Sequence, residues 1–260
     1  MPVHRLRFLA ACATCVAVIA WGSTAFASAQ VSKFSIVLSA NPASVAPTDF
    51  NDKVIDGFNH TVLDPRGLRS IDRITSAWVY DIEGHYFLRS NFAIDAGVGQ
   101  LRSNSKRDFL PAIGMAIGYR AELLSVPVHV GGAYYLPPYN SGDFQARWFI
   151  GGGMLSNVYN RARFSSVESR TDSARTLAGN YMVVGSRDSP GYYFESGAHM
   201  FFASRYSVQI GGIYRSSVVR GADAKLIRPV NGKLVSTPLG KLFDIDNSGY
   251  GAKLGLAIGF

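Results

Sequence analysis

The chain has 260 residues, including 27 Gly, 16 Phe and 13 Tyr. That suffices for one domain or one barrel and excludes a large multidomain enzyme. Only 17% of residues are charged although the net charge is +8, and no long block of one sign stands out. A nucleic-acid-binding arm is therefore not expected.

The first element is a targeting segment. His4, Arg5 and Arg7 form a positive n-region, FLAACATCVAVIAW an apolar core, and Ala27-Ser28-Ala29 a small-x-small cleavage site. Residues 1–29 are read as a cleaved signal peptide and residues 30–260 as the mature domain. An uncleaved anchor helix is the alternative. A lipobox at Leu9-Ala10-Ala11-Cys12 would leave only Phe8 to Ala11 as apolar core, which is too short. Cleavage takes Arg5 and Arg7 from the 26 cations and none of the 18 acids, leaving 24 against 18, a mature charge of +6. It also removes Cys12 and Cys15, the only cysteines, so no disulfide, thiolate nucleophile or cysteine metal site is expected.

No later apolar run approaches the roughly 18 residues of a membrane helix. The pattern is period two, the mark of strands with unlike faces. Eight stretches carry it. Lys33–Asn41 places Phe34, Ile36 and Leu38 on one face. Ile74–Leu88 sets Trp78, Tyr80, Ile82 and Tyr86 against Asp81, Glu83 and His85. Asn91–Arg102 sets Phe92, Ile94 and Val98 against Asp95, Gly97 and Gly99. Ser125–Leu136 opposes Val126, Val128, Val130 and Tyr134 to His129 and Gly131. Ala146–Asn160 opposes Trp148, Ile150 and Met154 to Arg147, Gly151 and Asn157. Gly191–Ala203 opposes Tyr192, Phe194 and Met200 to Glu195, Gly197 and His199. Arg205–Val218 opposes Tyr206, Val208 and Ile210 to Ser207, Gln209 and Arg215. Gly249–Phe260 opposes Tyr250, Leu254, Leu256, Ile258 and Phe260 to Gly251, Lys253 and Gly255.

The bulky face is apolar and the other carries Gly and charge of both signs. Such charges can pair inside a narrow lumen, and aromatics near the strand ends (Trp78, Tyr86, Tyr134, Trp148, Tyr206, Phe260) suit interfacial girdles. Strands in lipid must close on themselves to satisfy their backbones. Short and long connections alternate, as in outer-membrane barrels. The expected fold is all-β: a closed antiparallel transmembrane barrel of eight strands, with a short helix in the first long loop. Phe109–Leu124 is read as an extension of the third and fourth strands, with a helix or an extra hairpin, hence ten strands, as alternatives. An ungapped internal repeat supports the hairpin plan: GHYFLRSNFAIDAG (Gly84–Gly97) aligns with AHMFFASRYSVQIG (Ala198–Gly211) at a shift of 114 residues.

Three segments, the terminal LGLAIGF, the hairpin EGHYFLRSNFAIDAGVG and the stretch VPVHVGGAYYLPPYNSGDFQARWFIGGGM, resemble the small outer-membrane β-barrels of Gram-negative bacteria, the OmpA/OmpX/OmpW-like group. The resemblance implies a structural or interaction role in the outer membrane, with passage of small apolar molecules as in OmpW-like barrels. It implies that the barrel assembly machinery reads the last strand, with Phe260, Ile258, Leu256 and Tyr250 as the signal. A narrow passive channel and a membrane-embedded lipid-modifying enzyme are the alternatives.

The candidate lumen network is Asp81, Glu83, His85, Asp95, His129, Arg147, Glu195, His199, Arg215 and Lys253. It reads as self-neutralising, since eight strands enclose only enough room for side chains; a proton-sensitive or conductive path through Glu83 and His85 or Glu195 and His199 is the sharper alternative. No His-x-Ser element is visible and the strand histidines lie on the lumen face, so no catalytic residue, cofactor or metal site is expected. DIDNSG (Asp244–Gly249) begins like a calcium loop, but its twelfth position is Gly255; an Asx turn is the expectation. PTDFNDKVIDGFNH (Pro47–His60) reads as a helix capped by Thr48, with Phe50, Val54 and Phe58 as a stripe that caps the barrel mouth or meets a partner. Arg161, Arg163, Arg170, Arg175 and Arg187 form a basic excess that suits lipopolysaccharide phosphates or a solvated loop. Expected partners are outer-membrane lipids, lipopolysaccharide and the assembly machinery, with no nucleic acid.

Overall fold

The computed structural model describes residues 32–260, apart from 113–114, 142–143, 171–172, 185–187, 203–204 and 231–232. The signal segment lies outside the described residues. The strands are β1 (Phe34–Ser44), β2 (Ser76–Arg89), β3 (Phe92–Ala112), β4 (Met115–Tyr135), β5 (Tyr139–Ser141), β6 (Phe144–Arg170), β7 (Ser173–Val184), β8 (Ser189–Phe201), β9 (Tyr206–Val230), β10 (Lys233–Asp246) and β11 (Gly249–Gly259).

Eight of them close a ring, β1-β2-β3-β4-β6-β8-β9-β11, every pair antiparallel. β11 returns to β1 with Leu256 opposite Leu38 and Gly259 opposite Ser35, which leaves no edge in the ring. Phe109–Leu124 extends β3 and β4, so the ring keeps eight members.

The long links differ from simple loops. β6 runs on past Asn160 and returns as β7; β9 runs on past Val218 and returns as β10. β7 also pairs with β9, so these hairpins build a taller wall above the ring. The physical reason is continuity: a strand whose neighbour also extends keeps its hydrogen-bond partners and loses nothing by remaining extended.

The outside is apolar. Leu38, Ile82, Val130, Ile150, Phe194, Ile210 and Leu254 are each at least half exposed and form a continuous belt. An exposed apolar surface of this extent demands a nonaqueous neighbour. Aromatics rim it below at Phe34, Tyr86, Tyr134, Trp148, Tyr206 and Phe260, and above at Trp78, Tyr80, Tyr159, Tyr192, Tyr214 and Tyr250.

Glycine on the inner face has a steric cause at two positions. A Cβ on Gly97 would lie 2.6 Å from the His129 ring, and one on Gly131 would overlap the Tyr193 hydroxyl. Large polar side chains of one wall thus lie over bare backbone of the next.

The first long loop holds helix α1, residues 48–66, wound largely with i→i+5 bonds. Thr48 begins it without capping it: its hydroxyl donates to the Ala46 carbonyl at 3.1 Å, and no side chain caps the helix. Phe50, Val54, Ile55 and Leu63 are buried against inward residues of the upper wall, among them Leu101, Leu123, Val219 and Phe243. Phe58 completes the stripe, 4.7 Å from the Tyr119 ring and 5.0 Å from that of Phe164. α1 therefore fills the upper mouth rather than standing free for a partner.

Two asparagines fasten the return segment 68–75 to α1. Asn51 donates to the Ile74 carbonyl at 2.9 Å and accepts the Ile74 amide at 3.0 Å. Asn59 does the same with Ile71, at 3.0 and 2.9 Å. Each side-chain amide replaces a missing backbone partner for a buried extended residue.

Candidate functional site

The lumen is layered. At the lower end, around the β2–β3 and β8–β9 turns, Phe87, Ala93, Ala133, Tyr135 and Phe149 pack together, with Phe87 and Tyr135 rings 5.1 Å apart. Above them lies the charged layer. All ten of the candidate network residues face inward, nine of them fully buried and His129 nearly so.

Lys253 on β11 is the hub. Its Nζ donates to Glu83 Oε2 at 2.8 Å and to Glu195 Oε2 at 2.7 Å, carboxylates on opposite sides of the ring. His85 Nε2 sits 3.0 Å from the same Glu83 oxygen. Asp95 accepts a hydrogen bond from the Tyr193 hydroxyl. Arg147 stands apart near the lower end, bonded to Gln145 Oε1 at 2.9 Å and to the Ser90 carbonyl.

Asp81, Glu83, His129 and Arg215 surround a void of about 10 Å³, room for one water. Asp81, Glu83 and His129 also offer donor atoms within 4.8 Å of one another, a set that could hold a metal ion. The ring orientation does not favour it. His129 Nδ1 faces Asp81 Oδ2 at 3.9 Å while its Nε2 faces Glu83 Oε1 at 4.0 Å, so the imidazole bridges two carboxylates instead of aiming one nitrogen at a shared centre. Lys253 and Arg215 already supply positive charge there.

His199 meets a serine that spacing along the chain does not suggest. Its Nε2 lies 2.7 Å from Ser207 Oγ, across the β8–β9 turn. Its Nδ1 lies 3.3 Å from both the Gln209 amide nitrogen and the Tyr135 hydroxyl. His199 thus joins Ser207, Gln209 and Tyr135 in one buried hydrogen-bonded group. The void beside Ser207 is about 10 Å³, too small for an acyl chain.

A neutral layer follows. Ser125 Oγ donates to Asn160 Oδ1 at 2.7 Å, Asn247 Nδ2 reaches both at 3.0 and 3.1 Å, and Asn157 donates to Ser217 Oγ at 2.7 Å. Of these, Asn157 is set on the inner face by the alternation; Ser125, Asn160 and Ser217 lie within the alternating stretches, and Asn247 lies outside them. In the DIDNSG segment the carboxylates serve backbone: Asp246 accepts the Ser248 amide at 2.8 Å, an Asx turn, and Asp244 accepts the Gly221 amide at 2.8 Å.

The top layer is apolar and holds a cleft. Lys53, Val54, Gly57, Phe58 and Thr61 of α1 face Phe164, Met182, Leu239 and Phe243 of the wall across a cavity of about 770 Å³. Lys53 lies 2.7 Å from Asp49 and 5.6 Å from the Phe243 ring centre. The Lys53 ammonium and the Asp244 amide hold the Asp49 carboxyl below its usual range. Arg73 pairs with Asp52 and, at 2.9 Å, with Asp56, fastening the outer side of α1.

No family model matches the chain, and no curated protein does. Solved barrels do. The outer membrane protein OprG from Pseudomonas aeruginosa matches at TM-score 0.42 and 14% identity, over 89% of this chain and 98% of that one. Outer membrane protein AlkL matches at TM-score 0.36 and 15% identity, over 92% and 95%. The N-terminal β-barrel domain of Pseudomonas aeruginosa OprF matches at TM-score 0.35 and 12% identity, over 89% and 100%. With its closed ring of eight antiparallel strands, apolar outside and charged within the lower lumen, the chain has the build of a small outer-membrane β-barrel.

Proposed function

We propose that this protein is an outer-membrane barrel that captures small apolar molecules at its upper mouth. The carrying observation is the apolar cleft between α1 and the wall, set above a lumen filled with paired charge. A cleft of that size suits an alkyl chain or a small aromatic. The axial way onward is occupied by Lys253 and its two carboxylates, and opening it would strand buried charges.

The reading is tested with a fluorescent alkyl probe and the purified barrel in detergent. Phe58→Asp and Met182→Asp, which place charge in the cleft, should each weaken binding about tenfold or more, by the cost of burying a charge beside the ligand. Unchanged binding in both sinks the capture reading. Planar-bilayer recordings of pure protein decide the passive channel: steady single-channel steps in the wild type would replace capture with conduction.

The same reading includes export through a cleaved signal at residues 1–29 and insertion by the assembly machinery through the last strand. N-terminal sequencing of the envelope protein should start at Gln30. Phe260→Ala should lower insertion of the barrel in cells; full insertion would remove Phe260 from the signal.

A further inference from the structure

We infer that the outer face of β3, β4 and β6, just above the apolar belt, binds the phosphates of a diphosphorylated glycolipid of the outer leaflet, lipid A. The strand register carries this. Arg102, Leu124 and Arg161 lie side by side in one outward row. The next row up holds Asn104, Glu122 and Arg163, and the row after it Lys106 and Arg120. Arg102, Lys106 and Arg120 are exposed, and Arg161 and Arg163 are half-buried. Five cations thus face one acid, Glu122, within three rows.

Neighbouring strands stand about 4.8 Å apart and successive outward residues about 7 Å. The patch therefore covers roughly 10 by 14 Å, an area matching a sugar headgroup rather than a single ion.

Its height identifies the partner. One row below Arg102 lie Tyr80, Gln100 and Tyr159, and Trp78 is level with Arg102 itself. The aromatics end the belt, so the cations meet the level where acyl chains give way to headgroups. A lipid seated there keeps its chains on the belt and its phosphates beside the guanidinium groups, which hydrogen-bond phosphate in pairs.

The wall beyond β7 is different. On β9 and β10, two strands from β6, the outward charges Arg220, Lys225, Arg228, Asp223, Asp244 and Asp246 intermix cations and acids. Uniform attraction around the barrel would not produce this asymmetry; a site on one side does.

This inference shares the outer-membrane placement of the reading above but not its cleft. Cell fractionation tests the placement separately. The inference is tested by titrating the purified barrel in neutral detergent with bis-phosphorylated lipid A, its dephosphorylated form, phosphatidylglycerol and inorganic phosphate, read by native mass spectrometry. Arg102→Gln/Arg120→Gln/Arg161→Gln should weaken binding of the bis-phosphorylated form about 100-fold. Arg220→Gln should change it by less than about twofold. Binding by the triple variant equal to that of the wild type, equal loss in Arg220→Gln, or equal uptake of the dephosphorylated lipid each overturns the inference. So does full competition by inorganic phosphate, which would mark a free-anion site, or by phosphatidylglycerol, which would mark a general anionic-lipid surface.

Discussion

The lower and upper halves of the lumen are built on opposite rules within one sheet. Below the neutral layer at Ser125 and Asn160, inward positions carry interlocked charges over a small aromatic floor, and outward positions are greasy. Above it, inward positions are Ala, Val, Leu and Phe, and outward positions on β3, β4 and β6 carry charge. The alternation continues along the same strands while its meaning inverts. The difference follows from the solvent outside: lipid below, where the protein supplies its own polar interior, and water above, where a wall needs an apolar filler. α1 is that filler.

The lower half should be the more brittle. Lys253→Met leaves Glu83 and Glu195 buried without their cation and should cost about 3–5 kcal/mol, seen as a lowered heat-modifiability midpoint. Adding Glu83→Gln and Glu195→Gln should restore part of it. If the single variant melts like the wild type, the lumen is wetter than its packing implies and the contrast fails.

In the upper half damage should stay local. Phe50→Ala removes a fully buried ring from α1 and should cost about 3–5 kcal/mol of helix docking. Amide exchange in residues 48–74 should accelerate while the melting of the ring is unchanged. Global loss would show that α1 holds the ring together. Asn51→Ala orphans the Ile74 amide and carbonyl and should cost about 1–3 kcal/mol, seen in the same exchange experiment as a smaller effect.

The smallest effect is electrostatic. The Asp49 carboxyl titrates below its usual range, so its contribution is present above the unfolded-state pKa of about 4 and is lost as pH falls through the folded value. Half-exposed Lys53 limits it to less than about 1 kcal/mol. Protection factors in α1, which correct for the intrinsic slowing of exchange in acid, should fall modestly from pH 6 to pH 3, and Asp49→Asn should flatten that response.

Much of the lower half was legible in the chain. Alternation is local, so Trp78 and Ile82 could be set outside and Asp81 and Glu83 inside from β2 alone, and Gly97 and Gly131 could be read as room for larger neighbours. The helix stripe at Phe50, Val54 and Phe58 was legible for the same reason. The upper half was not. Residues 161–184 and 218–246 have mixed polarity, because their outward face meets water, and a strand without a greasy outer face resembles a loop. The side chains of Arg170, Arg175 and Arg187 lie outside what the structure describes, so the basic surface rests instead on Arg102, Lys106 and Arg120, beside Arg161 and Arg163.

By itself the sequence determined which face of each of the eight strands is greasy, where the short turns fall, and that the inner face is narrow and charged. Those properties depend on residues two apart. Only the tertiary structure decided who meets whom: Lys253 with Glu83 and Glu195, at separations of 170 and 58 residues, His199 with Ser207 across a turn, and Asn51 with Ile74. Pairing across a closed ring is set by register and by the space each glycine leaves, and neither is written in any one strand.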